Sequence, residues 1–535
     1  MDGCGQSLFA TGNEGIRPAN GRAMIVSPKI LIAENLANAA RQHAARTVYR
    51  FQDHSFTFAE HMAIAGGIVE ALAGRGVKPG DRVAILAGSS QPYVACWHAA
   101  MLGHFVIVPV NVRLAPLEIA GLIDSAGARL LLHDAALADM AKAVCDLASD
   151  APAAVDIASI ARPAAPLGPH PDAAEDDPVA IMYTGGTTGR PKGVVMTQKA
   201  LSITHHRLHL IWDILPVDTV FYGTAALYHI SGSNIYMGPV LAGNLTVLPE
   251  SFDIDLLVRD VREQKVTHII LIAAMIDRFL DAIRDDAAPY AHLKYIGYGG
   301  APVAAGTLSQ LTRLLPATQI QQSYGMTEIL GGLTLLRTAD HDPARGKLAS
   351  AGRALPGCDM EARRPDNSRC DAGETGEIVA RIDSIMAGYW QAPEQTAAVF
   401  DDGWYRTGDV GYIDDEGYLF LVDRLKDMIV TGGENVYSLE VERAIETYPG
   451  VRHACVIGIP SEAWGEQVHG FVVLDPGVEA DEAALRQHLR ARIGGYKIPK
   501  SFDIGTEPLP MTPNNKVDKA SLRGRFWKDT QRMIN

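Results

Sequence analysis

Residues 179–193, which read VAIMYTGGTTGRPKG, join a short apolar run to a loop rich in glycine and threonine. A continuous apolar run of this kind is typical of a strand that is buried on both faces of a parallel sheet. The loop is dense in backbone N–H groups and hydroxyl donors, which can wrap phosphate oxygens, and Lys192 adds a positive charge. The order Lys192-Gly193 differs from the Gly-Lys-Ser/Thr order of a Walker A loop. We therefore predict a phosphate-binding loop of another kind in an α/β fold.

The sequence on both sides of this loop alternates between strand-like and helix-like segments. The strand candidates are residues 83–86, 105–110, 130–133 and 266–272. Helices are expected from about Pro92 and over residues 275–283. This alternation predicts α/β units with mostly parallel sheets. Residues 151–177, which are rich in alanine, proline, aspartate and glycine, are predicted to form a loop or linker between two such units.

The C-terminal part of the chain has a different pattern. From about residue 356 to 425, glycine, aspartate and threonine become more frequent and the strand candidates shorten, which predicts a β-rich module. Residues 426–535 are predicted to form a separate unit, with Ser438 as the N-cap of its first helix. Its predicted elements are helices at 438–446 and 482–493 and strands at 454–458 and 470–474.

These segments together predict the domain organisation. A large N-terminal domain, residues 28–425, would contain two α/β subdomains and the β-rich module. Residues 426–535 would follow as a small α+β domain. Residues 1–27 show little periodicity and are expected to be a poorly ordered extension.

Composition and charge exclude several classes of protein. Of the 535 residues, 47% are apolar and the net charge is −14, so large cores are possible and a nucleic-acid partner is disfavoured. The six cysteines include no C-x-x-C pair, which is typical of reduced thiols in a cytoplasmic protein. No secretory signal is visible, and polar residues interrupt the uncharged segment 83–112, so no transmembrane span is expected.

Seven further short segments follow a definite order along the chain. They are Asn111–Leu114, Gly299–Pro302, Gln322–Glu328, Tyr405–Asp409, Asp423–Asp427, Thr431–Val436 and Pro513–Lys516. With residues 183–193 they resemble the motifs of the AMP-forming acyl-adenylating superfamily, which includes acyl-CoA synthetases, carrier-protein adenylation domains and luciferases. The resemblance covers about residues 30–520, and Asn111–Leu114 fits the acyl-CoA synthetase branch.

This resemblance implies a reaction with ATP, Mg²⁺ and CoA. A carboxylate attacks ATP to give acyl-AMP and pyrophosphate, and the CoA thiol then displaces AMP. Glu328 would hold Mg²⁺ against the triphosphate, which suits a hard cation that takes carboxylate and phosphate oxygens. Tyr324 would stack on adenine, Asp409 would bind the ribose hydroxyls, and Arg424 would reach the ribose or a phosphate.

The resemblance also assigns roles to the C-terminal unit. Lys516 would stabilise the negative charge that concentrates on the α-phosphate during attack. The family usually has glycine before this lysine, where this chain has Asn515, a residue type that adopts left-handed conformations more easily than most. Lys426 would be the hinge about which residues 426–535, as a small mobile lid domain, turn between an adenylating and a thioester-forming state. Gly432 and Gly433 would line the path of the thiol.

The predicted site is therefore a defined set of residues. The catalytic candidates are Lys516, His229, Thr184 and Glu328, with Glu328 also as the metal ligand. The candidates for binding the nucleotide and CoA are Thr184, Gly185, Gly186, Thr187, Thr188, Gly189, Lys192, Gly300, Ala301, Pro302, Ser323, Tyr324, Gly325, Met326, Thr327, Asp409, Arg424, Lys426, Gly432 and Gly433.

The acid itself is predicted only by class. Tyr228-His229 resembles an aromatic-His pair near the substrate carboxylate, and residues 219–249 contain no Asp, Glu, Lys or Arg. An uncharged lining favours an apolar fatty or aryl monoacid over dicarboxylates and amino acids. Two alternatives stay open: an acyl-AMP ligase that loads a carrier protein, and a non-catalytic adenylate-binding protein. A homodimer is compatible with the sequence.

Overall fold

The computed structural model describes residues 29–150, 152–184, 191–215, 218–251, 253–300, 303, 305–424, 427–431, 434–461, 464–490, 492–512 and 516–527. The predicted extension at residues 1–27 lies outside these ranges.

A nine-stranded sheet forms one half of the N-terminal part. Its strands, in spatial order, are Arg353–Ala354, Thr334–Leu336, Gln319–Tyr324, Tyr295–Gly299, His268–Ile272, Val220–Tyr222, Leu245–Leu248, Thr47–Phe51 and His54–Thr57. The six central strands are parallel, and the outer strands are antiparallel to their neighbours.

A seven-stranded sheet forms the other half and carries the glycine- and threonine-rich loop. Its order is Gly388–Tyr389, Lys192–Thr197, Pro178–Thr184, Val106–Pro109, Arg82–Leu86, Ala128–His133 and Ala153–Asp156. Pro178–Thr184 and Lys192–Thr197 are antiparallel neighbours on either side of that loop.

Helices cover the faces of both sheets, as expected for apolar parallel strands. Local signals explain several of their starts: Thr57 forms a capping box with Glu60, and the Ser90 hydroxyl accepts from the N–H of Tyr93. The helices before residue 430 are Ile32–Gln42, Phe58–Ala73, Gln91–Gly103, Pro116–Ala126, Ala138–Leu147, Ile157–Ile160, Gln198–Ile211, Ile230–Leu241, Ile254–Glu263, Ala273–Ile283, Ala305–Leu314 and Pro393–Ala397.

Two smaller sheets complete the fold. The β-rich sheet contains Cys358–Arg363, Gly376–Ile382, Phe400–Asp401, Trp404–Ile413 and Leu419–Arg424. The C-terminal sheet contains Ile429–Thr431, Glu434–Val436, Val451–Ser461, Gly465–Leu474 and Ser501–Gly505. Three helices pack with it: Ser438–Glu446, Glu482–Arg490 and Lys519–Gly524. The mixed α/β architecture with a β-rich module and a smaller C-terminal unit is therefore confirmed.

The two faces of the nine-stranded sheet bury different sets of side chains. On strand Tyr295–Gly299, Tyr298 packs with apolar residues of the three helices between residues 254 and 314. Tyr295 points to the opposite face and packs with Trp212 and with Ile235 of helix Ile230–Leu241. This alternation follows from the two-residue period of a strand, and it places a separate layer of helices over the face that carries Tyr295.

Three sequence predictions about elements were wrong in detail. The 151–177 segment is not only a linker: Ala153–Asp156 adds an edge strand, and Ile157–Ile160 is a short helix whose two isoleucines are buried. Ser438 is the first helical residue rather than the N-cap, because its N–H and hydroxyl donate to the carboxylate of Asp423.

The predicted helix at 482–493 is shorter than expected and ends at Arg490. Beyond the helix, the N–H of Ile493 still donates to the carbonyl of Leu489. The other predicted strands and helices are present, with ends that differ by a few residues. Among the described residues, every helix is too short or too polar to cross a bilayer.

Candidate active site

One continuous cavity of about 3590 Å³ lies at the carboxyl ends of the parallel strands and extends to the C-terminal unit. Open α/β sheets bind ligands at this edge because neighbouring strands diverge there into loops. The predicted site residues that line the cavity are Thr184, Lys192, His229, Gly300, Ser323, Tyr324, Gly325, Met326, Thr327, Glu328, Asp409 and Lys516. The structure thus brings together residues that lie more than 300 positions apart in the sequence.

The predicted ribose and adenine groups are in direct contact. The hydroxyl of Tyr324 donates to Oδ2 of Asp409 at 2.6 Å. Asp409 is buried and follows Gly408, whose positive φ of 69° suits glycine. The backbone N–H of Asp409 donates to the Thr407 hydroxyl at 3.1 Å. The carboxylate is therefore held in one orientation, which a diol-binding group requires.

Tyr389 organises the predicted metal and phosphate end of the cavity, and sequence reasoning missed it. Its hydroxyl donates to Oε1 of Glu328 at 3.1 Å. The ammonium of Lys192 lies over its ring, 4.8 Å from the centroid. Burial and the Glu328 charge raise the pKa of Tyr389, so its hydroxyl stays protonated. The sequence gives no local signal for this residue, because the pairing of Gly388-Tyr389 with the strand that begins at Lys192 places it in the site.

A carboxylate held in this way fits Mg²⁺ well. Mg²⁺ is bound by one or two protein carboxylates together with phosphate oxygens. Glu328 follows the strand Gln319–Tyr324 in a short turn, and the N–H of Met386 donates to its backbone carbonyl at 2.8 Å. Both its backbone and its side chain are fixed, so Glu328 and the phosphates of a bound nucleotide would hold the ion.

His229 and Lys516 both line the cavity, and the charge of Lys516 acts on the His229 ring. His229 precedes helix Ile230–Leu241 as its N-cap. Burial, together with the charges of Lys516 and Arg113, lowers the pKa of His229 to about 4. The ring is therefore neutral at physiological pH and lies within the electrostatic reach of the Lys516 ammonium.

Backbone hydrogen bonds shape the segment that carries Lys516. The N–H of Thr512 donates to the carbonyl of Lys516 at 2.7 Å, and the N–H of Lys516 donates to the Thr512 hydroxyl at 3.2 Å. Met511 also forms an isolated bridge with Val517. The Lys516 side chain is exposed and lines the cavity.

A group of charged residues joins the β-rich sheet to the C-terminal unit, and it was not predicted. Asp423 accepts from Ser438, whose hydroxyl accepts from the Lys519 ammonium at 2.7 Å. Lys519 also pairs with Glu442 at 2.7 Å. These contacts connect the C-terminal unit to the segment just before the predicted hinge.

Several predicted residues cannot be placed. Arg424 is in strand Leu419–Arg424, but its side chain is not described. Ten others lie outside the described residues: Gly185, Gly186, Thr187, Thr188, Gly189, Ala301, Pro302, Lys426, Gly432 and Gly433. The roles given to all candidate residues, and the domain boundaries at 28, 425 and 426, stay predictions.

The chain is similar to known proteins along most of its length. The family model described as AMP-binding enzyme matches residues 36–390, and the model described as AMP-binding enzyme C-terminal domain matches residues 440–516. A feruloyl-CoA synthase from Amycolatopsis sp. is 35% identical over 91% of this chain and 97% of its own length. A fatty acid–[acyl-carrier-protein] ligase, ScoC, from Streptomyces coeruleorubidus is 32% identical over 88% of this chain and 91% of its own.

A solved structure is also similar over nearly the whole chain. It is the o-succinylbenzoate coenzyme A synthetase from Bacillus subtilis in complex with ATP and magnesium ion, with 29% identity and a TM-score of 0.82. The match covers 93% of this chain and 99% of that one.

Proposed function

Because the chain belongs to the family of AMP-binding enzymes, we propose that it is an ATP- and Mg²⁺-dependent acid–CoA ligase. In the first half-reaction a carboxylate oxygen attacks the α-phosphorus of ATP, which gives acyl-AMP and releases pyrophosphate. In the second, the sulfur of CoA attacks the acyl carbonyl carbon, which gives the thioester and releases AMP.

The observation that carries the proposal is that Lys516, His229, Glu328 and Asp409 line one cavity. Lys516 would stabilise the charge on the α-phosphate as the carboxylate attacks. Asp409, oriented by Tyr324, would bind the ribose. Bound Mg²⁺ would neutralise phosphate charge, with Glu328 as its protein ligand.

His229 would contribute as a neutral group. A neutral imidazole can donate one hydrogen bond to the substrate carboxylate. Because the ring carries no charge, it does not compete with the Lys516 ammonium for the negative charge of the substrate. Thr184 ends the strand Pro178–Thr184 directly before the glycine- and threonine-rich loop, so its hydroxyl would contact the phosphates.

The direct test is a panel of carboxylic acids scored for acid- and CoA-dependent AMP formation. We expect at least one apolar fatty or aryl monoacid to give AMP and an acyl-CoA. A protein that binds ATP but releases no pyrophosphate with any acid would instead support the non-catalytic alternative.

The second candidate is a ligase that loads a carrier protein, which the similarity to ScoC favours. Both functions share the first half-reaction and differ only in the thiol that accepts the acyl group. The two functions are separated by the rate of acyl transfer from one good acid to CoA and to a phosphopantetheinylated carrier protein at equal concentrations.

Two finer proposals accompany the function. A cytoplasmic location is supported by the six cysteines without a C-x-x-C pair, together with the use of ATP. A homodimer is compatible with the chain, and size-exclusion chromatography with light scattering would determine the oligomeric state.

A further inference from the structure

The acid-binding end of the cavity has a floor built from one row of the nine-stranded sheet. In that row Ile270, Gly297 and Gln321 are neighbours on three parallel strands. All three line the cavity, as do Leu208 and Trp212 from the covering layer. The row above it contains Ile272, Gly299 and Ser323, which border the predicted nucleotide site.

Tyr295 closes this floor. It lies two residues before Gly297 on the same face, and its ring leans along the strand. A Cβ atom at Gly297 would lie 2.9 Å from Cε1 and 3.2 Å from the hydroxyl oxygen of Tyr295. The tyrosine ring therefore occupies the space that a side chain at residue 297 would fill, and glycine at this position is required by that contact.

Tyr295 closes the floor with polar contacts as well as with its aromatic ring. The hydroxyl of Tyr295 donates to Oε1 of Gln321 at 3.4 Å. On its other side, the Tyr295 ring stacks on His268 with ring centroids 5.4 Å apart. Burial raises the pKa of Tyr295, so the phenol stays neutral. The pair thus presents the Gln321 amide N–H groups and the Tyr295 oxygen as neutral hydrogen-bonding groups.

The depth of this part of the cavity follows from strand geometry. Two residues along a parallel strand rise about 7 Å. The Tyr295–Gln321 pair therefore lies about 7 Å below the level of Gly299 and Ser323. A single aromatic ring with one substituent is about as long as this spacing, whereas a long extended acyl chain directed at this row would meet the tyrosine.

A second neutral polar group lies in the wall. Asn234 is buried and lines the same cavity, and its Nδ2 donates to the carbonyl of Leu330 at 3.1 Å. Its Oδ1 has no hydrogen-bond partner in the described part of the chain. Asn234 therefore adds a neutral side chain, and no charge, to the wall of the cavity.

On these observations, and resting on the function proposed above, we propose that the substrate is a compact aryl acid with a hydroxyl or carbonyl group at its far end. The Tyr295–Gln321 pair contacts that group and limits the length of the acid. A hydroxyl matches the pair because it can accept from the Gln321 amide and donate to the Tyr295 oxygen.

The test compares 4-hydroxycinnamic acid, cinnamic acid and decanoic acid as probes in the same AMP-formation assay. In the parent enzyme, kcat/KM should be highest for the hydroxylated aryl acid and lowest for decanoic acid. Gln321→Leu should lower kcat/KM about tenfold for 4-hydroxycinnamic acid, the scale for one lost polar contact in a pocket, and leave cinnamic acid nearly unchanged.

Tyr298→Phe is the matched control. Tyr298 donates to Gln322 at 3.4 Å, the same contact on the same two strands but on the opposite sheet face. The Tyr298→Phe variant should leave the preference between the two cinnamic acids unchanged. Tyr295→Phe removes only the hydroxyl and should reduce that preference. Tyr295→Ala should raise the relative rate with decanoic acid, provided that its circular dichroism matches the parent.

The outcomes separate this inference from the function on which it rests. A parent enzyme that prefers decanoic acid would overturn the inference and keep the ligase function. A Gln321→Leu variant with an unchanged ratio of the two cinnamic acids would do the same. Failure of every acid to release AMP would overturn both.

Discussion

The two ends of the cavity are built in different ways. At the nucleotide end, charged groups are held by phenols: Tyr324 fixes Asp409 and Tyr389 fixes Glu328. At the acid end the polar groups are neutral, and the Tyr295–Gln321 pair takes the place of a charge. The first arrangement suits a reaction that moves negative charge, and the second suits discrimination between similar acids. The reaction and the substrate therefore depend on different residues, and variants can separate them.

The largest expected effect is at the nucleotide end. Lys516→Ala should lower adenylation by about 10² or more, because one preplaced cation is lost from the developing charge. Acid-dependent pyrophosphate release measures this step. Synthetic acyl-AMP and CoA should still react in the variant, since the second half-reaction does not use Lys516 at the α-phosphate.

Lys500 provides a control for the Lys516 experiment. It is an exposed lysine of the same C-terminal unit that does not line the cavity, and Lys500→Ala should behave like the parent. Equal losses in both half-reactions of Lys516→Ala would mean that the lysine supports the fold rather than the charge.

A smaller effect should follow from weakening the hold on the predicted metal ligand. Tyr389→Phe removes one hydrogen bond to Glu328 and should raise the Mg²⁺ concentration for half-maximal ATP binding by about tenfold or more, since hydrogen bonds to charged groups contribute about 1.5–3 kcal/mol. Glu328→Gln should raise this Mg²⁺ concentration further. Calorimetry with a non-hydrolysable ATP analogue measures binding without turnover.

The double variant makes this prediction sharper. If Tyr389 acts through Glu328, Tyr389→Phe should have almost no additional effect in a Glu328→Gln background. Additive effects would show that the two residues act independently.

The contact between Tyr324 and Asp409 should affect ATP rather than the acid. Tyr324→Phe keeps the ring but loses a hydrogen bond to a carboxylate, a loss of about 1.5–3 kcal/mol in folded proteins. Part of that lost free energy should appear as a raised KM for ATP. The ratio of kcat/KM values for two acids should stay constant, and a changed ratio would break the separation between the two ends.

The smallest effect concerns pH. The native pKa of His229 is lowered to about 4 from an ordinary value of 6.5, so the unfolded chain binds more protons between these values. Stability should therefore fall as the pH decreases from about 6.5 to 4 and be level above that window. His61 and His205, with pKa values lowered by burial to about 3, act in the same direction.

A His229→Asn variant tests how much of this pH dependence of stability comes from His229. Its unfolding free energy, measured by denaturant titration across the window, should depend less steeply on pH than that of the parent. An identical slope would mean that His229 titrates similarly in the folded and unfolded chains.

Sequence reasoning succeeded where a function is encoded in a contiguous motif. The phosphate loop, the Tyr324–Glu328 segment and the strand pattern around them predicted the fold class and the reaction. Buried parallel strands leave an apolar signature, and a catalytic loop needs several particular residues in a row.

It failed where a contact joins distant segments. Tyr389 lies 61 residues from Glu328, and Tyr295 lies 26 residues from Gln321. Ser438 was taken as a self-sufficient N-cap, whereas its partner is Asp423, 15 residues earlier. No local pattern records such pairs, because sheet order and side-chain direction bring them together.

The central claim is that one enzyme converts an acid, ATP and CoA into a thioester and AMP. The most direct measurement is the stoichiometry of products by chromatography after incubation of the purified protein with ATP, Mg²⁺, CoA and 4-hydroxycinnamic acid. We predict equal amounts of AMP and acyl-CoA, with AMP absent when the acid is omitted. Formation of ADP in place of AMP, or of AMP without the acid, would contradict the account.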